Sequence, residues 1–164
     1  MKGTRKSGFS LIELIIVIVI LAVISAIALP RISRGAKGAN ESAVGQNLAL
    51  IRSAIETYAA EHDGTFPGTD EATFVSGLTK FSDKAGATSD TKDSATGKIY
   101  GPYLLKIPPL TVGANAGKNT VTVGNTGPAA GGTTGWVYNY KSGQLIANCA
   151  DTELAENGTK FNTW

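Results

Sequence analysis

An α+β fold, with one long N-terminal helix laid on a small antiparallel sheet, follows from three features of the 164-residue chain. The first is an apolar run from Phe9 to Leu29, 21 residues whose only polar members are Ser10, Glu13 and Ser25. The second is a stripe of Val44, Leu48, Ile51, Ile55 and Tyr58, spaced by fours and threes, which puts them on one helical face. The third is a late cluster of strand-forming residues, 120–123 (TVTV), 136–140 (WVYNY) and 144–147 (QLIA), the last two joined by the turn Lys141-Ser142-Gly143.

Taken in order, residues 1–8 (MKGTRKSG) form a short basic segment holding Lys2, Arg5 and Lys6 and no acid. The apolar run follows. As a helix it is about 32 Å long at about 1.5 Å per residue, enough to cross a hydrocarbon core of roughly 30 Å. Pro30 lacks an N–H and is expected to kink the helix, and Gly35, Gly38 and Gly45 to weaken its middle. The amphipathic pattern carries the helix on to about residue 61, with Gly64 as a left-handed cap. Beyond it, Phe74, Val75, Leu78 and Phe81 suggest a short helix. Residues 82–98 read as an exposed loop, and 101–110 (GPYLLKIPPL) as an extended segment packed down without regular pairing. A glycine-rich loop separates Gly124 from Gly135. The sheet cannot bury its own apolar face and the stripe cannot stay bare, so the second half of the helix is expected to lie across the sheet.

Composition narrows the function by exclusion. Net charge is +2, from 15 Lys and Arg against 13 Asp and Glu, too small for a nucleic-acid footprint, and none is predicted as a partner. A single cysteine, Cys149, rules out an internal disulfide and a cysteine-based zinc site, and a single histidine, His62, rules out HExxH chemistry. No phosphate-binding GxxxxGK[ST] loop or GxSxG elbow is present, so no catalytic residues, cofactor or metal are assigned. His62 is expected at the surface near the helix C-terminus, and Cys149 as a small buried or half-buried residue rather than a reactive thiol. Trp136, Tyr138 and Tyr140 are expected to alternate with the intervening residues onto opposite faces, as core and surface of a sheet rather than a ligand platform. Asp151, Glu153 and Glu156 are too sparse for the oxygen cluster calcium favours. The sequons Asn40-Glu41-Ser42 and Asn157-Gly158-Thr159 remain unassigned.

The segment Lys6-Ser7-Gly8-Phe9-Ser10-Leu11-Ile12-Glu13, with the apolar helix and Pro30 behind it, resembles the N-terminus of type IV pilins and type II secretion pseudopilins. The stretches GPYL and GWVYNYKSGQLIAN are similar to parts of pseudopilin-like proteins. The resemblance implies a leader, residues 1–8, that a membrane prepilin peptidase removes by cutting after Gly8. The same enzyme would methylate Phe9, the new first residue, and Glu13 would be the fifth residue of the mature chain. It further implies segments 9–29 (membrane and filament core), 30–61 (amphipathic half of the helix) and 62–164 (globular α+β domain). The chain would be a non-enzymatic subunit of a helical homo-oligomeric filament. It would wait in the inner membrane with its N-terminus cytoplasmic and its domain outside. Assembly would involve a membrane platform, an ATPase and minor pilins or pseudopilins. Phe9 and Glu13 would serve filament assembly, the amine of one subunit neutralising the acid of its neighbour.

The residues support the same chemistry independently. Glycine before the cut leaves the peptide bond open to approach. An acid inside a membrane helix costs about 2.5–3.5 kcal/mol on insertion scales and usually marks function. Two other readings compete. In one, an ordinary signal peptide is cut after Ala28, since Ala26-Ile27-Ala28 fits the small-x-small pattern, although the run exceeds the usual 7–15 residues. In the other, a plain signal anchor carries an extracytoplasmic enzyme or binding domain, with Glu13 at the interface. Charge does not choose between orientations, because Arg31, Arg34 and Lys37 on one flank match Lys2, Arg5 and Lys6 on the other.

Overall fold

The computed structural model describes residues 8–164; residues 1–7, most of the expected leader, lie outside the described residues. Contacts divide the chain into two units, Met1–Ala39 and Asn40–Trp164. A single helix, α1 (Leu11–Glu61), contributes to both and keeps helical backbone through Pro30.

In the first unit the helix is apolar on every face from Leu14 to Ile24 apart from small residues. The window Leu11–Ala28 has mean hydropathy 3.1 and none of it is buried, so the helix is long and apolar enough to cross a membrane. A helix hydrophobic all round needs an apolar environment on all sides.

In the second unit the expected stripe is the core. Val44, Leu48, Ile51, Ala54, Ile55 and Tyr58 are buried in one cluster with Trp136, Tyr138, Leu145 and Ala147. Helix α1 ends where Asp63 and Gly64 take positive φ and the Gly64 N–H reaches the Ala59 carbonyl at 2.8 Å. Helix α2 (Glu71–Thr79) is opened by Asp70, whose carboxylate accepts the Thr73 N–H at 2.9 Å while the Thr73 hydroxyl accepts the Asp70 N–H. It buries Phe74 and Leu78. Phe81 falls outside it, in β1 (Phe81–Ser82), which pairs antiparallel with β2 (Thr88–Ser89) inside the segment expected to be loop. Residues 101–110 pack down as expected, burying Leu104, Ile107 and Leu110 without strand pairing.

The main sheet is β3 (Val121–Gly124), β4 (Trp136–Asn139) and β5 (Leu145–Ala147), in that order. The β4–β5 hairpin is antiparallel, with Trp136 opposite Ala147. The β3–β4 pair is parallel, with Val121 opposite Trp136, so the α+β class stands and this sheet is mixed. Residues 125–135 make this possible, because a parallel pair needs a long return connection and the glycine-rich loop supplies it. At its end Gly135 passes so close to the Lys118 carbonyl oxygen that a Cβ would lie 2.1 Å from it.

Central β4 is buried on both faces, which corrects the expected core-and-surface alternation. Trp136 and Tyr138 join the helix-facing cluster, and the Trp136 indole N–H donates to the Pro108 carbonyl at 2.9 Å. Loop 125–135 is fastened by two buried asparagines. Asn139 Nδ2 donates to Thr126 O at 2.8 Å. Asn148 donates to the carbonyls of Gly131 and Thr134, both at 2.8 Å, and accepts the Gly131 N–H at 2.7 Å.

Candidate functional site: the N-terminal processing segment

Helix α1 begins at Leu11, so the Gly8–Phe9 peptide bond lies outside regular structure, two residues before the first turn. Gly8 has no neighbouring atom within 4 Å of where a Cβ would stand. Phe9 is 86% exposed. Among the described residues, a protease that must take the bond in extended form meets no packed side chain here.

Ser10 and Glu13 shape the start of the helix. Ser10 Oγ accepts the Ile12 N–H at 3.3 Å, and Ser10 O accepts the Leu14 N–H at 3.2 Å. In return the Ser10 N–H donates to Glu13 Oε2 at 2.8 Å. Together these form a reciprocal cap, in which two backbone donors that the helix itself leaves unpaired find side-chain oxygens. The acid therefore folds back toward the cut site. Sequence reasoning singled out Glu13 for its charge and missed Ser10. The signal was present as Ser-x-x-Glu before an apolar run.

The other singled-out residues sit apart from this segment. His62 is 2% exposed, a correction to its expected surface place. Its ring stacks on Tyr58 at 3.8 Å and 2° between planes. Nδ1 donates to the Tyr58 carbonyl at 2.8 Å, and Nε2 lies 3.1 Å from the Ser82 hydroxyl. With every polar atom used internally, it is a structural residue. Cys149 is buried, as expected, and burial pushes its thiol up to about 12. Asp151 holds Lys160 and Asn162, and Glu153 accepts the N–H groups of Ala114 at 2.5 Å and Ala150 at 2.8 Å. The Glu156 N–H donates to Glu41. The Asp151 and Glu153 carboxylates thus serve separate local tasks, while at Glu156 it is the backbone N–H that is engaged. Arg52, unremarked in the sequence, donates to the carbonyls of Leu145 (2.7 Å) and Trp164, tying the sheet and the final turn to α1.

Residues 3–29 match the family model described as the prokaryotic N-terminal methylation motif. The motif and the transmembrane-capable helix it contains fit a membrane-anchored precursor of the pilin type. The match supports a likeness to type IV pilin-like and pseudopilin precursors, and the motif points to a structural subunit. No curated protein and no solved structure matches the chain.

Proposed function

We propose that the chain is the precursor of a non-enzymatic subunit of a type II secretion pseudopilus or type IV pilus-like filament. It is cleaved after Gly8 and N-methylated at Phe9. The observation that carries this is the methylation motif over residues 3–29, placed where Gly8 and Phe9 are open and the apolar window begins two residues later. The leader faces the cytoplasm, the span Leu11–Ala28 crosses the inner membrane, and the unit Asn40–Trp164 folds outside it. A membrane platform and its ATPase then move the mature subunit, with minor pilins or pseudopilins, into a helical fibre.

Glu13 has two successive partners in this scheme. In the precursor its carboxylate accepts the Ser10 N–H. Cleavage frees an α-amino group at Phe9, four residues upstream, and in the fibre core the amine of one subunit meets the acid of its neighbour. Both charges lie where water is scarce, so an axial misfit leaves both unpaired at a cost of several kcal/mol. The pair sets register rather than adding net stability.

Mass spectrometry of the mature N-terminus tests the reading. N-methyl-Phe9 is expected. A chain beginning at Leu29 establishes an ordinary signal peptide instead, and an intact N-terminus in membranes that contain the peptidase establishes a plain anchor.

A further inference from the structure

Between Glu13 and Glu41 the sequence holds no acidic residue, and its basic ones, Arg31, Arg34 and Lys37, fall within seven positions. They follow directly on the apolar window Leu11–Ala28. The backbone is helical throughout, so Arg31 stands about 4.5 Å along the axis from Ala28 and Lys37 about 13.5 Å. A bilayer of about 40–45 Å around a core of about 30 Å leaves roughly 5–8 Å of headgroup region on each side. Arg31 falls inside that layer, and Lys37 lies within reach of it by its long side chain. At about 100° per residue the three positions fan over roughly 120°, one side of the helix. Arg31 and Lys37 are exposed and form no ion pair among the described residues.

We propose that Arg31, Arg34 and Lys37 form a cationic collar that binds the anionic phospholipid headgroups of the outer leaflet. The inference rests on the reading that Leu11–Ala28 spans the membrane. Depth favours lipid over an acidic side chain of a neighbouring copy, because the collar begins where the hydrocarbon ends. The nearest following acid, Glu41, already accepts the Glu156 N–H. Leader removal sharpens the effect. It takes Lys2, Arg5 and Lys6 from the inner flank and sets the new amine against Glu13, so net positive charge remains on the outer flank alone. The mature subunit is then held by its outer end until assembly strips the lipids away.

The test uses the full-length chain in phosphatidylcholine bilayers carrying trace nitroxide-labelled phosphatidylglycerol or phosphatidylcholine. Electron paramagnetic resonance reads the fraction of each label immobilised at the protein. Wild type should favour the glycerol lipid by about twofold or more, a preference that salt weakens. The variant Arg31→Gln/Arg34→Gln/Lys37→Gln should lose at least half of it, while Lys2→Gln/Arg5→Gln/Lys6→Gln keeps the collar's share. An unchanged preference in the collar variant overturns the proposal. If that variant also fails to form fibres, the collar's partner is an acidic surface of another subunit. A chain that floats with no vesicle overturns the spanning reading itself, a failure distinct from insertion without headgroup preference.

Discussion

In the proposed reading Gly8 serves cleavage and Glu13 serves assembly, so variants at the two positions should come apart. Gly8→Leu should leave full-length precursor in the membrane, seen as an unshifted band on a gel, because a branched side chain crowds the bond to be cut. Glu13→Val should be cleaved at the same place, since the Gly8–Phe9 bond is untouched, yet expressed alone it should give few fibres. Wild-type fibre yield from that variant counts against the register role. Deeper in the domain, Cys149 should resist iodoacetamide in the folded protein at pH 8. Its thiol is pushed up to about 12, chiefly by burial, so thiolate is scarce below that value, and the side chain is fully buried. Rapid labelling at pH 8 without denaturant contradicts this.

Among the elements, the helix was the most legible in the sequence. Its stripe from Val44 to Tyr58 is local, and a 3.6-residue period read along one segment needs no knowledge of what packs against it. The direction of β3 was not legible, because alternation marks a strand without saying which way its partner runs. Nor was the burial of His62, whose partners Ser82, in β1, and Tyr100 come from segments beyond α2. The close pass at Gly135 gives a test of the mixed sheet. Gly135→Ala would set a Cβ against the Lys118 carbonyl, rigid backbone beside β3, and should destabilise the domain by about 1–3 kcal/mol in denaturant titration. The stretch from Pro30 to Gly45 should be the weakest part of α1, since each interior glycine costs about 1 kcal/mol relative to alanine. In a fibre it should unwind under load, each residue lengthening from about 1.5 Å toward 3.3–3.6 Å. A fibre density map with straight, unbroken helix from residue 10 to 61 refutes this. Pro30→Ala with Gly35→Ala, Gly38→Ala and Gly45→Ala should stiffen fibres measured under tension.

For the molecule as a whole, acid response follows from its carboxylates. Asp70, capped by the Thr73 N–H and hydroxyl, Asp93, bound by Thr96 and Ala95, and Asp151, held by Lys160 and Asn162, all titrate below the usual carboxylate value. Such groups add stability above about pH 4, lost as pH falls through their lowered folded values. Asp151→Asn should flatten that decline in a pH series of thermal melts, and an identical slope contradicts the assignment. The Arg52 clamp has a consequence for how the domain comes into being. It joins a residue of the first helix to carbonyls 93 and 112 positions later in the chain. Contacts that far apart form late and slowly. On the topology proposed above, the helix would emerge early during export with its apolar stripe bare, and it would wait for β5 and the closing turn to be delivered. In that topology the span would keep each nascent domain tethered at the membrane, apart from its neighbours, when premature association through that stripe is most dangerous.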